Sequence, residues 1–133
     1  MPQAIAQRWR GNAAILTYHR ILPDDIFSSD QGPNRDLAVT EHRFEEQIAY
    51  FSDSFTLISM DELVPHLVSG STTFKIAITF DDGYKDNLNH ALPILEKYQA
   101  PATIYITTRF PEGDCGIWWF ELWERISAID HFD

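Results

Sequence analysis

The sequence predicts an α/β fold with a parallel sheet, and three observations carry the prediction. Four short apolar runs, at 13–18, 55–58, 74–80 and 102–107, have the length and composition of strands buried within a sheet. Segments with apolar residues at helical spacing lie between and after them. The two kinds alternate as strand, helix, strand, helix through the chain, and that order implies parallel strands joined by right-handed crossovers. An open α/β sheet and part of an α/β barrel both satisfy it.

Each element has its own signal. Ala13 to Tyr18 (AAILTY) is a continuous apolar run, expected to be buried on both faces. His19 to Val39, rich in Pro, Asp, Ser, Gly and Asn, has no periodicity and reads as a long loop. Thr40 is placed to cap a helix whose inner side is Phe44, Ile48 and Phe51. After the second strand, Ser59 and Glu62 have capping-box spacing, opening a helix that presents Leu63 and Leu67 and ends near Gly70. Pro65 should bend that helix, because proline removes a backbone donor. Phe74 to Phe80 (FKIAITF) is the clearest strand. The next helix starts at Asp86 or Asn87 with Leu88, Ala91, Leu92, Leu95 and Tyr98 on one face, and Pro93 predicts a kink or a split first turn. After the fourth strand, Gly113 to Gly116 marks a turn, and Trp119, Leu122, Trp123 and Ile126 share a final helical face.

Composition narrows the function. The 133 residues suffice for one domain with a core and are too few for two. Twenty acidic residues against ten basic ones give a net charge of −10, a field that repels phosphate backbones and anionic lipid. Nucleic-acid binding is therefore not expected. No apolar run reaches the length of a membrane span. Cys115 is the only cysteine, so no internal disulfide forms. Met1 to Gly11 is polar rather than an apolar leader, and a cytoplasmic location is the default expectation.

The chemistry concentrates in Thr79-Phe80-Asp81-Asp82-Gly83-Tyr84, where a buried strand runs into two adjacent carboxylates and a glycine. Strand C-termini line the sites of parallel α/β folds. Two neighbouring carboxylates repel if both are ionised and desolvated, unless a cation intervenes. A divalent metal resolves the conflict, one carboxylate binding it while the other stays free as a base. Gly83 would let the backbone turn sharply. The plainer alternative is that Asp81 and Asp82 cap the following helix and face solvent.

The run IAITFDDGYKDN followed by ALPILEKYQAPATIYI resembles the first motif and the following helix–strand unit of the polysaccharide deacetylase (NodB-homology) family. The upstream LTYHRI, FEEQIAYF and LISMDEL segments fit the same family in the same order. The resemblance implies a partial, deformed β/α barrel of parallel strands. It divides the chain into a short extension, 1–12, and the N-terminal part of a deacetylase domain, 13–133. It also implies a hydrolase acting on non-peptide carbon–nitrogen bonds, removing acetyl groups from an acetylated carbohydrate. Asp81 would be the general base and Asp82 a ligand of a divalent metal ion, zinc by expectation. Tyr18-His19 ends the first strand, so His19 would either stand at the mouth of the site or simply be hydrogen-bonded at the strand end, and Tyr18, Gly83 and Tyr84 would share the site's rim.

In the family an H-x-x-x-H motif completes the ligands, and later motifs supply an arginine and a histidine acid. The five histidines here, His19, His42, His66, His90 and His131, include no pair four apart. The chain is accordingly expected to be incomplete, weakly active or inactive alone, and prone to self-association through the unfinished barrel. His42, His66 and His90 are expected on helix surfaces. Gln99 stands where such helices commonly end in glycine, and a left-handed backbone there costs about 1 kcal/mol. Trp118, Trp119 and Phe120 could stack on sugar rings, although their spacing with Leu122 and Trp123 suits helix packing better. Two rivals remain: a non-catalytic domain that binds sugar or a protein partner, and an aspartate-nucleophile phosphatase. The phosphatase is disfavoured, because its sites want D-x-D where this chain has adjacent aspartates.

Overall fold

The computed structural model describes residues 11–29, 32–113 and 115–129. Most of the expected extension lies outside these residues, as do His131 and Asp114 of the expected turn.

Among the described residues six strands form: β1 (Ala13–Tyr18), β2 (Arg20–Leu22), β3 (Ala38–Thr40), β4 (Thr56–Ile58), β5 (Lys75–Phe80) and β6 (Ala102–Ile104). All pairings are parallel. β5 is the centre of the main sheet, with β1 along one side over its full length. On its other side β4 pairs with Lys75–Ala77 and β6 with Ile78–Phe80, so two strands share one edge in succession. Parallel strands are as expected, but the described residues make a partial sheet and no closed barrel.

Helices α1 (Asp24–Ser29), α2 (Glu41–Ser54), α3 (Met60–Val68), α4 (Leu92–Lys97), α5 (Arg109–Glu112) and α6 (Trp118–Ser127) fill the connections. Two of the caps form as the sequence indicates. Thr40 Oγ1 accepts the Arg43 amide at 3.2 Å. Ser59 and Glu62 close a reciprocal capping box. α3 continues through Pro65 to Val68.

Strand alternation sorts the core. Ile78 and Phe80 pack with Phe44 and Ile48 of α2 and with Ile94 and Leu95 of α4. On the other face, Ala77 packs with Ile58 and with Leu63 of α3. β5 is buried from Ile76 onward, as its apolar run predicts. β1 departs from expectation: among the described residues β5 is its single partner in the sheet, and Ile15 is 50% exposed.

Other departures have local causes. The expected loop at 19–39 contains α1 and a small parallel sheet, β2 with β3. Three-residue strands are too short to show a period in sequence. His66 is buried, 7% exposed, because it stands three residues after Leu63 on the inner side of α3, and its Nε2 is 3.2 Å from the Asn12 carbonyl. The helix after β5 opens with a π-turn, Asn87–Ala91, closed by the Leu92 amide on the Asn87 carbonyl. The wide turn shifts the helical phase, so Asn87, Ala91, Ile94 and Leu95 face inward while Leu88 is 61% exposed. Gln99 is left-handed (φ 50°) in a Schellman end, with the Ala100 amide on the Leu95 carbonyl at 2.9 Å.

Candidate active site

The site is built where β1 and β5 end together. Tyr18 is in register with Phe80, and the Asp81 amide donates to the Tyr18 carbonyl at 3.0 Å. The next residue on each chain is therefore delivered to the same rim, His19 beside Asp81. His19 Nε2 stands 3.9 Å from Asp81 Oδ2, too far for a hydrogen bond, with both side chains partly open to solvent. Below them Thr17 and Thr79 join their hydroxyls at 3.0 Å.

The backbone then turns through two left-handed residues, Asp82 (φ 69°) and Gly83 (φ 69°). Aspartate is among the few L-residues that visit this region, and it does so at a cost. Gly83 is required twice over, since a Cβ there would stand 3.0 Å from Ile106 Cγ1. The turn presents both carboxylates at the rim instead of using them as helix caps: neither aspartate heads the π-turn, whose N-cap position is Asp86.

Tyr18 and Tyr84 take different roles from one another. The Tyr18 ring is turned into the core against Phe44 and Phe80, with centroids 5.0 and 5.5 Å away. Its hydroxyl donates to Gln47 Oε1 at 2.8 Å, and burial pushes its pKa up to about 12. Tyr18 thus contributes backbone, not side chain, to the rim. Tyr84 stays by the turn, its hydroxyl accepting the Trp119 indole N–H at 3.2 Å. Partial burial, with a smaller contribution from the Asp82 charge, raises its pKa.

A clamp behind the turn is not evident in the sequence. Asp86 accepts Arg20 Nε and the Ile21 amide, each at 3.1 Å. Oriented with its nitrogen toward the two acceptors around it, the buried Asn87 amide donates to the His19 carbonyl at 3.0 Å and to Asp86 Oδ1 at 3.1 Å. Together they fasten the segment after His19 to the start of the helix after Asp81–Asp82. A polar KDN triplet gives no sign of such burial; only the long-range pairing reveals it.

The metal expectation meets a partial donor set. Asp82 offers a carboxylate at the rim, but among the described residues no three His, Cys, Asp or Glu side chains gather around one point. A three-ligand catalytic centre does not fit these residues alone. The apolar groove along Leu92, Leu95, Gln99, Pro101 and Ile104 does not include either aspartate in its lining.

The family profile for polysaccharide deacetylase matches residues 70–129, the stretch from the end of α3 through the Asp81–Asp82 turn to α6. This segment belongs to the polysaccharide deacetylase family. A poly-beta-1,6-N-acetyl-D-glucosamine N-deacetylase of Staphylococcus aureus is 28% identical over 110 residues, covering 76% of this chain and 38% of its own length. The Streptococcus pyogenes deacetylase PplD, solved in complex with acetate, superposes with a TM-score of 0.56 at 27% identity, over 71% of this chain and 42% of that one. A polysaccharide deacetylase from Bacillus cereus gives 0.55 at 31% identity, over 71% of this chain and 29% of that one. The chain spans less than half the length of these relatives. Within the deacetylase segment, the strand end, the paired aspartates and the glycine turn form one continuous unit. His42 pairs with Glu46 on α2, and His90 of the π-turn pairs with Glu41, each at 3.4 Å. No helix among the described residues is long and apolar enough to cross a membrane.

Proposed function

We propose that this chain contributes the general base and one metal ligand of a hydrolase that removes acetyl groups from an acetylated carbohydrate. The observation that carries the reading is the Asp81–Asp82–Gly83 turn at the shared end of β1 and β5, within the segment of matching family. Asp81 would accept a proton from the attacking water, its side chain being open to solvent beside His19. His19, 3.9 Å away, could close to hydrogen-bond distance with a small side-chain rotation and so orient that carboxylate. Gly83 and the Asp86–Asn87 clamp hold the two strand ends in place while the proton moves.

Asp82 would be the ligand this chain offers to a divalent ion, zinc in this reading, which when bound would polarise the acetyl carbonyl and acidify water. Its other donors would have to come from outside the described residues, and activity of the chain alone should be weak. The glycan class follows from the N-acetylglucosamine polymer named for the Staphylococcus aureus relative. The test is acetate release from N-acetylglucosamine oligomers by the purified chain with added zinc. Slow release abolished by Asp81→Asn is expected. Release that survives Asp81→Asn would remove the base assignment, and fast release would show that the chain needs no further ligands.

A further inference from the structure

We infer that Trp118 is a stacking platform for a pyranose ring of the glycan, at the rim beside the Asp81–Asp82 turn. The proposal rests on the deacetylase reading and assigns it a substrate-binding residue.

The start of α6 is tied to the turn by its second and third residues. Trp119 donates its indole N–H to Tyr84, which directly follows Gly83. Phe120 lies with its ring centroid 5.9 Å from the Arg20 guanidinium, which is also 5.2 Å from the Tyr84 ring and is held by Asp86. These contacts place the helix start against the site. Trp118 takes no part in that anchoring. It meets Trp119 edge-on, centroids 5.7 Å apart at 87°, and is 62% exposed.

An indole held next to a reaction site yet left in water has the chemistry to bind a ring with one apolar face. The axial C–H face of a hexopyranose is such a surface, and an aromatic plane recognises it without using the acetyl group. The net charge of −10 disfavours an anionic occupant of the same platform.

Tryptophan fluorescence titrations with an N-acetylglucosamine hexamer, and with cellohexaose as a neutral probe lacking acetyl groups, test this. Both oligomers should bind the full chain. Trp118→Ala should weaken both by roughly five- to tenfold, while Trp118→Phe retains most of the affinity. Far-UV circular dichroism and the Phe variant separate loss of the platform from loss of fold. Binding unchanged in Trp118→Ala, or binding of the acetylated oligomer alone, overturns the platform. If acetate release remains Asp81-dependent in that case, only the platform falls. If wild type neither binds an oligomer nor releases acetate, the deacetylase reading falls with it.

Discussion

At the scale of single residues, the turn after β5 combines chemistry with backbone strain. Asp82 and Gly83 are both left-handed, and a Cβ added at Gly83 would press on Ile106. Gly83→Ala should destabilise the fold by about 1–3 kcal/mol, combining a left-handed penalty with overpacking. Asp82→Asn should change stability by less than about 0.5 kcal/mol, since asparagine accepts the same backbone. Urea unfolding of the two variants checks the contrast, and equal losses would mean the turn is not held as described. Tyr18 provides a pH signature. Its pKa is about 12 in the fold against 10.0 for the free side chain, because burial disfavours the phenolate. The unfolded chain therefore loses this proton first as pH rises. The associated stability is fully present below pH 10 and drains away between about pH 10 and 12, amounting to as much as about 3 kcal/mol. Tyr18→Phe should flatten that decline in thermal melts, and an unchanged alkaline slope would refute the assignment.

At the scale of elements, what the sequence discloses depends on how local the cause is. Thr40 and the Ser59–Glu62 box are legible because a cap is a contact within one turn. β5 is legible because an unbroken apolar run has few other fates. The paired aspartates stand where the strand end and the glycine indicated. The π-turn at Asn87–Ala91 is not legible, since it inserts a phase shift that a regular 3.6-residue reading carries past. β2 and β3 are equally hidden, each depending on the other across the chain. The Asp86 clamp shows how much such long-range contacts matter. Asp86→Ala would strip the Ile21 amide and Arg20 Nε of an acceptor in a partly buried setting. It should cost about 2–4 kcal/mol and loosen the segment after His19. Hydrogen exchange should show the Ile21 amide losing protection beyond the global change, and selective retention of that protection would argue against the clamp.

At the scale of the whole molecule, the sheet is well covered on one face and open at its margins. Among the described residues β1 has one partner, Ile15 is half exposed, and Ile104, Tyr105 and Ile106 continue the β6 side in contact with water. Leu122, Trp123 and Ile126 add apolar surface on α6. Unpaired edges and apolar patches recruit other chains, so self-association at micromolar concentration is expected in sedimentation equilibrium. A monodisperse monomer with cooperative unfolding would show that these margins are tolerated in water. The central place of β5 has a further consequence, for the birth of the chain. β1 emerges before the other strands, yet its partner residues come much later: Thr79, which meets Thr17, lies 62 positions further along the chain. At synthesis rates of about 5–20 residues per second, the apolar AAILTY strand waits on the order of 3–12 seconds before β5 exists to receive it. Until then β4 has no sheet to join either, because β5 is its partner too. The sheet is therefore assembled late, and the strand that leads into His19 stays longest without a partner.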